Sequence, residues 1–334
     1  MKHEYPSLSI VVNNYNYEQY LEEALESVFS QLYNQDEVIV VDDGSSDNSL
    51  AVLEGYQLEG KLTLIAQQNQ GQMAAVVTGI NAAKGEIVVL LDSDDVLLDG
   101  YLKRLREIYR QNRVVSFVFT QPEVFGANQS TVRETQAILD RMRFPSGPVG
   151  RSIWAAILFH EFVGVPTSGL SMHQSLAKKI MSLPSSIYDT KELVGWQRLF
   201  FGISSTEGNK SGFSADGLIV RCTSALGALK YFNGTPGYRY RIHDNNKYAN
   251  TPPRGRWFLR ARRKRMLARV IGSHFSNDPH PSADELLEEI RQRAWALNLK
   301  RRIRIRLEYC LTTLKSKGTL RQKVATLAAA LDLH

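Results

Sequence analysis

At 334 residues, with 43% hydrophobic and 22% charged side chains, the chain has a globular composition that excludes fibrous and intrinsically disordered classes. Its length fits about two domains, or one domain with a substantial appendage. Two cysteines far apart in sequence, Cys222 and Cys310, exclude a disulfide framework and a cysteine metal site, while the +7 formal charge is unevenly placed: residues 254–334 hold 19 Lys/Arg against 7 Asp/Glu, a net +12 that leaves −5 for residues 1–253.

Met1–Ser7 is polar and leads straight into a strand-like run, so no secretory signal is expected and the protein is expected in the cytoplasm. Leu8–Val12 reads as a buried strand. Tyr20–Gln31 sets Leu21, Leu25, Val28 and Leu32 at helical spacing, and Glu37–Val41 is a second strand running into Asp42-Asp43-Gly44-Ser45. A helix over Ser49–Gln57, a strand over Leu62–Ala66, a helix over Gly71–Ala83 and a strand over Glu86–Leu91 follow, the last ending in Asp92-Ser93-Asp94-Asp95. This alternation is that of βαβ units feeding a mostly parallel sheet. Both acidic clusters fall at carboxyl ends of strands, the edge where open α/β sheets bind ligands.

Tyr101–Arg110 reads as an amphipathic helix, Val114–Thr120 as a strand and Thr131–Phe144 as a helix, before a loop punctuated by Pro145, Gly147, Pro148 and Gly150. Residues 151–182 read as mainly helical around the turn-like Gly164–Gly169. Ile153–Phe159, among the most apolar helical segments, is far shorter than the ~20 residues a bilayer span needs. After Pro252-Pro253 the chain reads as basic helices, with the boundary between body and extension near residue 250. Such an extension is a solvated helical face or meets anionic lipid at a membrane surface; nucleic acid is not expected as a partner.

Two carboxylates at a strand end, Asp92 and Asp94, are hard oxygen ligands suited to Mg²⁺ or Mn²⁺ on a substrate diphosphate. The blander reading of such a cluster is an Asx turn capping the next helix. At the second cluster, Gly44 allows a tight turn, Ser45 or Ser46 is placed to start the next helix, and a carboxylate there can accept hydrogen bonds from a nucleobase or a ribose. Capping alone explains one aspartate, not two clusters at one edge.

Ser9–Asn16, Ser27–Gln31, Val41–Ser45, Asn69-Gln70-Gly71, Lys84-Gly85-Glu86 and Leu91–Asp95 resemble, in order and spacing, the nucleotide-binding half of family 2 glycosyltransferases. The resemblance implies a GT-A fold, a Rossmann-like α/β/α sandwich, over residues 1–250: a nucleotide-binding half at 1–120, an acceptor half at 121–250, and a basic helical extension at 251–334. It implies inverting sugar transfer from a nucleotide sugar, with UDP the expected nucleotide, to a glycan, lipid-linked or protein acceptor; the basic extension favours, beside a solvated face, peripheral contact with the inner face of the membrane. Asn13, Asn14, Tyr15, Asp43, Gln70, Gly71, Asp92 and Ser93 would bind the nucleotide sugar. Asp92 and Asp94 would form the family's DxD motif, with Asp94 on the metal. Val76-Val77 departs from an Arg-Asn pair common in the family, which leaves the donor's identity open.

An inverting transfer needs a carboxylate base for the acceptor hydroxyl. In the family this base begins a helix about two dozen residues before a Tyr-Arg-x-His motif, here Tyr240-Arg241-Ile242-His243, and counting back reaches Asp216. Glu192 competes but lies about twice as far from His243; first-turn acidity alone also accounts for either residue. His243 resembles the histidine that completes the metal shell, and Arg241 is placed for phosphate or for a carboxylate of the body. Pro166–Ser171 matches the loop ahead of the acceptor region; Trp154, Trp196 and Tyr188 are placed to stack on sugars or simply to pack; and residues 185–213 resemble an insertion. Two rivals remain: a nucleotidyltransferase, which lacks its lysine- and glycine-rich loop here, and a non-catalytic nucleotide-sugar-binding scaffold.

Overall fold

The computed structural model describes residues 5–140, 144–151, 162–182 and 215–243. The chain divides into two compact units, one of Met1–Pro148, Gly164–Ile219 and Lys230–Asn246, the other of Val149–Val163, Val220–Leu229 and Lys247–His334. The first unit opens with strands β1 (Leu8–Asn14), β2 (Glu37–Asp42), β3 (Thr63–Ala66) and β4 (Ile87–Asp92), joined by helices α1 (Glu18–Phe29), α2 (Ser49–Leu58) and α3 (Gln72–Ala82). The remaining elements, in chain order, are β5 (Val96–Leu97), α4 (Tyr101–Gln111), β6 (Phe117–Gly126), α5 (Gln129–Asp140), β7 (Gly147–Arg151), a 3-10 turn (Thr167–Gly169), β8 (Leu170–His173), α6 (Gln174–Met181), α7 (Ala215–Ala225) and β9 (Leu229–Ile242).

The strands line up as β3-β2-β1-β4-β8-β6-β9-β5. The first four are parallel, β8 runs antiparallel to β4 and β6, β9 is parallel to β6, and β5 is antiparallel to β9. The result is a mixed, mostly parallel α/β sheet. β1 and β4 are near-continuous apolar runs because helices cover both their faces. Leu8, Ile10, Val12, Val38, Val40, Ile87, Val89 and Leu91 share one core with Leu21, Leu25 and Val28 of α1, Leu53 of α2, and Leu102 and Leu105 of α4. Val11 and Val41 face α3, and Gly79 lets that helix lie close: a Cβ there would sit 2.3 Å from Val11 Cγ1.

Register decides where the site forms. Asn13 pairs with Asp92 and Asn14 with Asp42, so β1, β2 and β4 end together. β9 is bent where Gly234–Gly237 bulge out between Asn233, opposite Thr120, and Tyr238, opposite Pro122; Pro122 has no N–H to give the ladder there. Beyond the bend β9 pairs with β5, just past the acidic turn.

Residues 170–173, expected to be helical, form β8 instead, because buried Leu170 and Met172 fill the gap between β4 and β6. The loop expected at 145–150 contains β7, and the helix expected at 131–144 runs from Gln129 to Asp140. In the second unit, residues 149–151, 162–163 and 220–229 are described. There α7 stops on Gly227 at φ 69, with Leu226, Gly227 and Ala228 donating back to the carbonyls of Cys222, Ser224 and Thr223. The basic extension expected at 251–334 lies outside the described residues. Among the described residues no helix is long and apolar enough to cross a membrane.

Candidate active site

β4 ends at Asp92, where the Ser93 N–H donates to the Asn13 carbonyl (3.2 Å) and the Asp95 N–H closes a turn on the Asp92 carbonyl (3.0 Å). This turn gathers Asp92, Asp94 and Asp95, each offering a carboxylate oxygen within 4.8 Å of the others. Asp92 is only partly buried by exposure, yet burial, then the Asp94 charge, pushes its carboxyl up to about 7, against hydrogen bonds from Asn13 and Gln72. The Gln72 amide donates at 2.8 Å. Burial, followed by the charges of Asp94 and Asp92, holds the Asp95 carboxyl well above the ordinary carboxylate range. Three carboxylates this close repel one another unless a proton or a cation intervenes, and an all-oxygen set with one imidazole beside it fits Mg²⁺ or Mn²⁺.

That imidazole comes from the end of β9. His243 Nε2 lies 2.9 Å from Asp94 Oδ2, and its ring is flanked by Tyr17 and Tyr20, each with centroids at 5.3 Å. Arg241 donates from its backbone N–H to Asp95 Oδ1 (2.9 Å) and from Nε to the Asp94 carbonyl (2.7 Å). Its guanidinium lies between the rings of Tyr20 and Phe125, at 4.5 and 4.3 Å, and pairs with Glu23. Of the two placements expected for Arg241, the structure shows pairing with a carboxylate of the body. Tyr17 was not singled out from sequence. Burial, then the charges of Asp94, Asp92 and Asp95, raises its hydroxyl far above the usual range, so it remains a donor. Its sequence signal was only its place two residues after Tyr15.

The second cluster divides its labour. Asp42 accepts from the Ser45 N–H (3.0 Å), the Ser45 hydroxyl (2.6 Å) and the Asn14 amide (2.9 Å), and Ser93 donates to Asn14 Oδ1 (2.8 Å). Asn14 and Ser93, expected to touch the nucleotide sugar, are thus buried and bonded to this network. Ser45 is spent here, and α2 starts later, with Asn48 at the N-cap position and the Ser49 N–H on Asp47. Asp43, 2% exposed, accepts from Gln67 Nε2 (2.7 Å) and from the N–H groups of Gln70 (3.0 Å) and Gly71 (2.7 Å), shaping the loop that opens α3. Gly44 at φ 75 makes the turn, since a Cβ there would come within 2.8 Å of the Asn69 nitrogen. Tyr15 is 44% exposed. Asn13 Oδ1 is buried with no partner among the described residues, an open acceptor beside Asp92.

Asp216 lies in the first turn of α7, its carboxylate accepting the Gly217 N–H at 2.6 Å. Its charge reaches the cluster, adding to the upward push on Asp92 and on the Tyr240 hydroxyl. In the Pro166–Ser171 segment, Ser168 is buried against the acidic turn, accepting the Asp92 N–H (3.0 Å) and donating to Asp95 Oδ2 (2.6 Å). Val76 is fully buried in α3, and the residue of that helix that reaches Asp92 is Gln72. Glu192, Trp154, Trp196, Tyr188 and the 185–213 segment lie outside the described residues.

Comparison with known proteins gives this arrangement its context. Residues 9–170 match the model of Glycosyl transferase family 2. An uncharacterised glycosyltransferase of Nostoc sp. is 30% identical over 246 residues, 72% of this chain and 66% of the relative. A GalNAc(5)-diNAcBac-PP-undecaprenol beta-1,3-glucosyltransferase of Campylobacter jejuni is 36% identical over 105 residues, 30% of this chain and 34% of that protein. The aligned segments therefore span just under two thirds of the first relative and about a third of the second. The crystal structure of S. aureus TarS 1–349 in complex with UDP superposes with a TM-score of 0.54 at 17% identity, covering 98% of this chain and 88% of that one. The shared fold and the run of matched motifs lead to one assignment: the chain belongs to glycosyl transferase family 2.

Proposed function

We propose that the protein transfers a sugar from a nucleotide-sugar donor, a UDP-sugar first, to an acceptor hydroxyl with inversion at the anomeric carbon. The observation that carries this reading is the convergence of Asp92, Asp94, Asp95 and His243 at the carboxyl edge of the sheet. Asn13, Tyr15, Asp43, Gln70 and Gly71 hold the nucleoside, while Asn14 and Ser93 brace the floor beneath it. Asp92, Asp94 and His243 would hold Mn²⁺ or Mg²⁺, which when bound offsets the charge of the diphosphate. Tyr17 keeps its proton and offers a hydrogen bond beside the same oxygens.

Asp216 takes the proton from the acceptor hydroxyl as that oxygen attacks the anomeric carbon. A new glycosidic C–O bond forms, the anomeric C–O bond to the diphosphate breaks, and its electron pair leaves with the nucleoside diphosphate. UDP is the nucleotide in the TarS complex, which shares the fold, and the undecaprenol-linked glycan for which the Campylobacter jejuni relative is named supports a lipid-linked acceptor; glycan or protein acceptors are the next to try. Asp216→Asn tests the assignment. We expect turnover to fall by roughly 10²- to 10⁴-fold with UDP affinity unchanged by calorimetry, and unchanged turnover would refute the role of Asp216. Donor binding by the wild type with no turnover on any acceptor would favour the scaffold reading.

A further inference from the structure

We propose that Ser168 and Asp95 form a relay that sets Asp92 and His243 at their mutual distance, with Asp95 a positioning residue and not a ligand of the cation. The inference rests on the metal-site reading above. The Ser168 hydroxyl accepts the Asp92 N–H at 3.0 Å and donates to Asp95 Oδ2 at 2.6 Å, while Asp95 Oδ1 accepts the Arg241 N–H at 2.9 Å. Both oxygens of Asp95 are therefore engaged, and Ser168 and Asp95 are each 0% exposed. Asp94 and Asp92 differ: Asp94 Oδ2 lies 2.9 Å from the His243 imidazole, itself a metal-binding group, and Asp92 Oδ1 accepts from the neutral Gln72 amide.

The relay joins three segments far apart in the chain, the 3-10 turn, the acidic turn and the end of β9. Arg241 closes the ring through Nε on the Asp94 carbonyl, and His243 follows two residues later. A hydroxyl that both donates and accepts and a carboxylate with two lone-pair faces supply the bonds needed to fix three backbones at one point. Partners that orient metal-binding groups without touching the ion typically govern affinity by about 10- to 100-fold.

The test is Mn²⁺ binding followed by electron paramagnetic resonance on the full chain, with thermal unfolding and amide hydrogen exchange on the same samples. Ser168→Ala should raise the Mn²⁺ dissociation constant about tenfold and speed exchange at the Asp92 amide, with the unfolding midpoint within a few degrees of wild type. Asp95→Asn keeps the shape and an acceptor for Arg241. It should weaken Mn²⁺ binding without abolishing it, and it carries the test if Ser168→Ala does not fold. Asp94→Ala should abolish binding. Wild-type affinity in both Ser168→Ala and Asp95→Asn overturns the relay, and a loss in Asp95→Asn as complete as in Asp94→Ala makes Asp95 a ligand, which overturns it too. A wild-type protein that takes up no Mn²⁺ removes the metal-site reading first and the relay with it.

Discussion

Asp92 gives the site a signature in solution. Its carboxyl titrates near 7 in the folded protein, against an ordinary value of 3.8, because burial and then the Asp94 charge favour the neutral form. Between these values the folded state keeps a proton that the unfolded chain has lost, so stability falls as pH rises from about 4 to about 7. Chemical denaturation of cation-free protein should show that decline, and Asp92→Asn should make it shallower, with Asp95 supplying the remainder; the same slope in both proteins would contradict the assigned environment. At this scale the identities were legible in the sequence, since paired aspartates at a strand end are a chemical signal. Their partners were not. Asn14 and Ser45 bond to Asp42, and Ser93 to Asn14 Oδ1, only once register brings β1, β2 and β4 to one edge, and Ser168 meets Asp92 across 76 residues of chain.

The parallel strands and their helices follow from runs long enough to show a period: β1 and β4 as apolar stretches, α1 as the spacing of Leu21, Ala24, Leu25 and Val28. β5 has two residues and β8 four, too few for alternation to declare itself. β9 is interrupted by Gly234-Thr235-Pro236-Gly237, the bulge beyond which the strand carries Arg241 and His243 to the site. The opposite ends of the elements are tied by a different device. Asp36 accepts the N–H groups of Leu8 (2.9 Å) and Tyr33 (2.6 Å) and pairs with Arg106 of α4, which is fully buried and stacks on Tyr33 at 3.9 Å. Asp36→Ala leaves that guanidinium buried and unpaired, so we expect a loss of about 3–5 kcal/mol in urea unfolding. A loss under 1 kcal/mol would show that the pair does not hold β1, α4 and the α1–β2 loop together.

Across the whole chain, residues 1–253 carry −5 and residues 254–334 carry +12, and a basic segment of this kind is attracted to anionic lipid. Full-length protein should sediment with vesicles containing phosphatidylglycerol and come off as salt rises from 0.1 to about 0.5 M, and equal binding after truncation at Asn250 would assign the effect elsewhere. Donor binding at the acidic turn is tested most directly by calorimetric titration of UDP and UDP-sugars, with GDP as the control, into wild type and Asp94→Ala, with and without Mn²⁺. Metal-dependent binding of a uridine diphosphate ligand that disappears in Asp94→Ala is the expected result; binding that ignores both Mn²⁺ and Asp94, or no nucleotide binding by folded protein, would contradict the donor-site assignment.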